Sequence, residues 1–130
     1  LALTKVYARH LLELDFSNTW LAVLNGCETA SGKIARGEGL LNMVRIFSLR
    51  CVPVVIASLW KNDDRRSAEI IGKFYEQLLQ GHGISEALHQ AKKHCMANLR
   101  NNAIYPLPYF WAVFEVYENS WLDQFIPKTI

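Results

Sequence analysis

Two places in this 130-residue sequence pair a reactive residue type with a position that could bring it to a working surface. The first is Cys27, which follows the apolar run Trp20 to Leu24 and the short stop Asn25-Gly26. The second is the acidic pair Asp63-Asp64, which follows the apolar run Val52 to Trp60. A cysteine leaving a buried strand for a glycine-containing loop can present its sulfur to solvent, where nearby backbone N–H groups could stabilise an oxyanion. That chemistry is thiolate attack on a carbonyl. The competing account makes Cys27 a small buried apolar residue, as most free cysteines are, and position alone leaves both open. A carboxylate at Asp64 could pair with an arginine fork or a lysine ammonium. Equally, Asp63 and Asp64 could cap a helix and complement its dipole. Cys51, between a helix and the base of a strand, and Cys95, on a helix's apolar face, read as core residues.

These residues need elements to position them. Leu3, Val6, Tyr7, His10, Leu11 and Leu14 recur at helical spacing and predict an opening amphipathic helix, broken by Asp15 to Asn18. Trp20 to Leu24 is a continuous apolar run, as expected of a strand covered on both faces. Glu28 to Gly39 reads as a loop, leading into a helix with Leu40, Leu41, Val44 and Phe47 on its buried face. Val52 to Trp60 is the next strand, with Pro53 near its start, where a missing N–H does least harm. Strand, helix, strand with a right-handed crossover makes the two strands parallel. In such sheets reactive groups gather outside the carboxyl ends of the strands, so Cys27 and Asp63-Asp64 are expected to flank one cleft.

Asn62, Asp63 and Asp64 offer N-cap chemistry for a helix through Ala68, Ile71, Tyr75, Leu78 and Leu79, closed by Gly81 and Gly83. A further helix has Ile84, Ala87, Leu88, Ala91, Cys95 and Leu99 as its apolar face and stops before Pro106 and Pro108. Tyr109 to Tyr117 is the third strand candidate. Two consecutive helices return the chain to the edge where the first began, so this strand should run antiparallel to the others. Trp121 to Ile126 reads as a closing helix or ordered tail.

About half the residues are apolar, enough for one domain with a real core. A net charge of +2, evenly spread, argues for neither a nucleic acid nor a membrane surface as partner. Three cysteines without a C-x-x-C pair fit a reducing compartment better than a disulfide framework, so a cytoplasmic setting is expected. No run of eighteen apolar residues appears. The chain opens on Leu1 without an initiator methionine, and is expected to be a fragment of something longer. Gly26 to Lys33 hints at a phosphate loop, yet five residues separate Gly26 from Gly32, and Ile34 stands where a hydroxyl would bind magnesium. No cofactor is expected.

Read together, Asn25-Gly26-Cys27-Glu28-Thr29-Ala30, Gly37-Glu38-Gly39, Ala57-Ser58-Leu59-Trp60, Asp63-Asp64 and Pro108-Tyr109-Phe110-Trp111-Ala112 resemble the CHAT domain, a caspase-like peptidase family often fused to tetratricopeptide repeats. The motifs fall in the right order over nearly the whole chain. The resemblance implies an α/β fold, a caspase-like three-layer sandwich with a mainly parallel sheet and an antiparallel last strand. It implies that residues 1–130 are the C-terminal, nucleophile-bearing part of a single such domain. Cys27 takes the nucleophile's place, with Gly26 and Glu28 shaping the oxyanion loop. The family's usual pattern there is Ser-Ala-Cys-Glu-Thr-Gly, so Asn25, Gly26 and Ala30 are departures, and Ala30 replaces a glycine whose freedom bears on the loop's shape. Relatives in the clan place an acid four residues after the corresponding tryptophan to grip a basic side chain. Asp64 matches that position, counted from Trp60, with Asp63 beside it.

The implied activity is a cysteine endopeptidase that attacks a peptide bond, following a basic residue, in a protein or peptide substrate. The alternative is a catalytically inactive caspase-like interaction module. A peptidase of this clan needs a histidine to hold the thiol as thiolate and to protonate the leaving amine. His10 lies toward the end of the first helix, on its apolar stripe and away from the reactive edge. His82 reads as a turn residue and His89 as a solvated one. His89 and His94 are five apart, a poor spacing for two metal ligands on one helical face. The base is therefore expected upstream, in a part of the protein outside this chain.

Overall fold

The structure, a computed structural model, describes residues 8–25, 38–119 and 126–128, with backbone alone at 8 and at 38–41. Three layers are built on a sheet of order β1-β2-β3, formed by Leu21–Leu24, Val54–Ser58 and Phe114–Glu118. β1 pairs parallel with β2, Leu21 opposite Val54 and Leu24 opposite Ala57. β3 pairs antiparallel with β2, Val54 opposite Glu118 and Ser58 opposite Phe114. The expected α/β sandwich, with an antiparallel last strand, is the observed architecture.

β2 sits at the centre, and all five of its residues are buried. Because side chains alternate across a strand, Val54 and Ile56 enter one core while Val55 and Ala57 enter the other. The first core lies under α3 (Asp64–Leu79) and α4 (Ile84–Asn101), the second under α2 (Glu38–Leu49). β1 obeys the same alternation, Leu21 and Val23 facing the α3/α4 side, Ala22 and Leu24 the α2 side. Its residues are only half-buried, since β1 has a strand neighbour on one side alone among the described residues.

The first helix is described only over α1, Ala8–Leu11, where Leu11 joins Phe16 in the α2 core. α2 buries Val44 and Phe47, as expected of its apolar face; the side chains of Leu40 and Leu41 lie outside the described residues. α4 buries the whole face read from its sequence, Ile84, Ala87, Leu88, Ala91, Cys95 and Leu99. On the water-to-interior scale, a fully buried aliphatic side chain contributes about 1.5–3 kcal/mol, so this single face fixes α4 on the sheet. α3 departs from its expected face. Ser67, Ile70, Phe74 and Leu78 are buried, while Ala68, Tyr75 and Leu79 are exposed and Ile71 is half-buried. The helix is turned by about one residue, because packing against α4 selects the stripe carrying Phe74.

Two further expectations are corrected. The third strand is shorter than Tyr109 to Tyr117: Pro108–Trp111 forms a one-turn helix, α5, with Pro108 in its first turn, and β3 begins only at Phe114. Proline is pre-set for a helix start. Cys51 is not core. It is exposed, with φ +60°. The N–H of Val52 donates to the Phe47 carbonyl and that of Cys51 to the Ser48 carbonyl. These two bonds make a helix-ending motif in which Cys51 takes the left-handed position. The candidate tail from Trp121 to Phe125 lies outside the described residues, and Ile126 packs on the α3/α4 core.

Candidate functional site

Parallel pairing of β1 and β2 sends both strands' carboxyl ends to one edge, and β3, running the other way, starts there. The register puts Asn25, which follows Leu24, level with Ser58. Asn25 is exposed. Cys27, with Gly26 and Glu28, lies outside the described residues. The described part of this edge is therefore built by the connector from Leu59 to Asp63, the start of α3, and α5.

Five-residue connectors are commonly mobile, but four residues of this one are fastened to the segment from Tyr109 to Val113. The N–H of Leu59 donates to the Val113 carbonyl at 2.7 Å. Trp60 donates from Nε1 to the Tyr109 carbonyl at 3.0 Å, and its ring stacks on Tyr109, centroids 6.5 Å apart and planes 15° apart. Tyr109 returns a bond from its hydroxyl to the Lys61 carbonyl at 3.0 Å. Asn62 donates from Nδ2 to the Phe110 carbonyl at 3.1 Å. Trp111 holds the approach to α5 by donating to the Pro106 carbonyl at 3.0 Å. Indole N–H and phenol O–H groups seek hydrogen-bond partners, and for Trp60 and Tyr109 those partners are backbone carbonyls of the opposite segment. The sequence had suggested a strand at Tyr109 and so missed this clamp; the two prolines flanking Leu107 were the signal for a turn and helix start.

The two acids behind the clamp have different roles. Asp63 is the N-cap of α3, with extended backbone (φ −58°, ψ 128°) and its carboxylate accepting the N–H of Arg66 at 3.1 Å. Capping of this kind satisfies one of the orphan donors at a helix start. Asp64 lies one residue later, in the first turn, and is exposed. Among the described residues it has no hydrogen bond and no ion pair, so its carboxylate is available to a ligand. Asn62, immediately before them, is only 8% exposed, and its Oδ1 has no hydrogen-bond partner among the described residues.

None of the four histidines lies in the connector, in the first turn of α3 or in α5. His10 is in α1, one turn before Leu14, whose carbonyl accepts a bond from Arg50 at the base of β2. His82 is in the turn between α3 and α4, on a cavity shared with Trp20 at the start of β1, the opposite edge of the sheet. His89 lines a cavity of about 320 Å³ between α4 and the flank of β3, with Lys92, Glu115 and Glu118. His94 is exposed on α4 beside Asn98 and Glu69, its Nε2 4.0 Å from the Glu69 carboxylate. Cys95 is fully buried, its thiol within 3.9 Å of the Phe110 carbonyl. Burial, reinforced by the Glu69 charge and opposed by Arg66, pushes that thiol up to about 11. It is a core proton holder with no thiolate to offer at neutral pH.

Compared with known families, residues 2–119 match the family model described as CHAT domain. No curated protein and no solved structure matches the chain.

Proposed function

The chain belongs to the CHAT domain family, and on that footing we propose that it carries the nucleophile and the substrate acid of a caspase-like cysteine endopeptidase. The family implies a caspase-like, peptidase-related fold. Within it Cys27 is the nucleophile. Its thiolate adds to the carbonyl carbon of the scissile peptide bond, and the carbonyl electrons move to an oxyanion received by backbone N–H groups of the Gly26 to Glu28 loop. Collapse expels the amine, which takes a proton from the histidine acid, and leaves a thioester on Cys27 that water hydrolyses. Asp64 holds the basic side chain preceding the bond through a charge-assisted hydrogen bond.

The observation that carries this reading is the parallel β1-β2 register. Asn25 and the Trp60 to Asp64 segment leave the same edge, and Cys27 is two peptide units beyond Asn25, a reach of at most about 7.6 Å between α-carbons. The available carboxylate of Asp64 beside the committed one of Asp63 supports its role toward substrate. The catalytic histidine belongs to another part of the whole protein, a reading favoured by the lack of any histidine in the described segments that build this edge, Asn25, Leu59 to Asp64 and α5.

The test is cleavage of a fluorogenic peptide with a basic residue before the scissile bond, by the whole protein. Cys27→Ala is expected to abolish turnover, a loss of about 10³-fold or more, with folding unchanged. Turnover that survives the substitution contradicts the assignment. The family's sheet without turnover, an interaction module, is the outcome if the unaltered protein is also inactive.

A further inference from the structure

Asn62 is the one buried side chain among the described residues left with an unpartnered polar atom. It is 8% exposed, and its Oδ1 has no partner among the described residues while its Nδ2 donates to the Phe110 carbonyl at 3.1 Å. The amide plane is thereby fixed. With the nitrogen spent on α5, geometry turns the oxygen away from Phe110. A buried acceptor without a donor is costly in the resting protein, and a site that leaves one carries a preference for a ligand that brings a donor to it. Asn62 is two residues before the available carboxylate of Asp64, on the clamped connector.

Resting on the peptidase reading above, we infer that Asn62 is a specificity-determining residue: its side-chain carbonyl is the second acceptor, with Asp64 the first, for an arginine of the substrate, and it selects arginine over lysine. Two acceptors of different charge on one short segment suit a planar guanidinium, which offers five N–H donors in a fixed fork. A lysine ammonium is a compact point charge and more strongly hydrated. Drawing it to an occluded carbonyl strips water that one neutral acceptor does not replace. The oxygen is occluded in the free chain, so its engagement requires a small displacement at the connector, with the Phe110 bond keeping the amide's orientation.

The test uses the whole protein carrying Cys27→Ala, which cannot turn over, and two non-cleavable peptides identical except for arginine or lysine at the gripped position. Fluorescence polarisation reads both dissociation constants. Arginine is expected to bind about tenfold or more tighter, the equivalent of one charge-assisted bond. Asn62→Leu and Asn62→Ala should each weaken the arginine peptide to the level of the lysine peptide and leave the latter within about twofold. Asn62→Asp retains acceptors but loses the donor to Phe110 that orients them, and should reduce the arginine preference while weakening neither peptide below Asn62→Ala. If all three variants weaken both peptides alike, the amide only braces α5 and the inference is wrong. Equal affinity for the two peptides in the Asn62 protein also overturns it, while leaving the basic grip at Asp64 intact. Failure of both peptides to bind, with Asp64→Ala making no difference, overturns the grip and the inference together.

Discussion

Asp63 and Asp64 are chemically identical neighbours, and the start of α3 falls between them. One carboxylate is spent on the N–H of Arg66 and the other is unspent. Asp63→Ala should therefore cost about 1 kcal/mol in urea unfolding. Asp64→Ala should cost no more than about 0.5 kcal/mol, its share of the dipole interaction, and weaken basic peptides instead. Cys95 makes a second residue-level prediction. Its native thiol holds its proton to about pH 11, while the unfolded thiol releases it near 9.0. Between these values the unfolded chain binds fewer protons than the native one, so stability falls as pH rises. In Cys95→Ala that alkaline fall should be shallower, which denaturant midpoints at pH 8.5 and 10.5 would measure. The acid pair was legible in sequence because cap chemistry and strand-end position are both local. The division of labour between its members was not, because it depends on which peptide unit begins the helix.

Among the elements, three helices end in the same way. The last carbonyls of α2, α3 and α4 accept paired bonds around Cys51, Gly81 and Ala103, with φ of +60°, +91° and +58°. Only Gly81 adopts that conformation without a Cβ penalty. Ala103→Gly is therefore expected to raise stability by about 0.5–1 kcal/mol, relief of strain outweighing the added freedom of the unfolded chain. Thermal unfolding would read the gain; a loss would mean that the strain is not there. The same comparison explains why Cys51 misled. Its apolar neighbours Val52 and Pro53 suggest core, but the helix must be closed at Cys51, and a left-handed residue at a helix end projects to solvent. α3 was legible as a helix, but its buried stripe was not, for a different reason. Ile70 and Ile71, Phe74 and Tyr75, and Leu78 and Leu79 form two adjacent stripes with equal helical spacing, and periodicity has no means of choosing between them. Contact with α4 chooses. In α4 there is a single stripe, and the sequence named it in full. Strand pairing was equally legible, because a helix between two apolar runs admits essentially one handedness.

At the scale of the molecule, the sheet is a device for bringing distant segments to one edge. Residues 24–25, 59–64 and 108–113 are far apart in sequence and meet there through the β1-β2-β3 order. The edge is stiffened on its α5 side by four bonds from Leu59, Trp60, Asn62 and Tyr109, so the connector that leads into Asp64 is fixed relative to α5. No helix among the described residues is long and apolar enough to cross a membrane. The strand-end motifs were legible because each follows an apolar run; the clamp was not, since most of its bonds run from side chains to the backbone of a segment nearly fifty residues away. The central claim is that Cys27 is a nucleophile whose base lies elsewhere in the whole protein. The measurement that bears on it most directly is covalent labelling with a peptidyl electrophile bearing a basic residue, the adduct located by mass spectrometry. The account predicts rapid modification of Cys27 in the whole protein, none in Cys27→Ala, and only slow modification in the 130 residues alone, where the thiol lacks its histidine. An adduct that persists at another residue after Cys27→Ala, formed at the same rate, would contradict it.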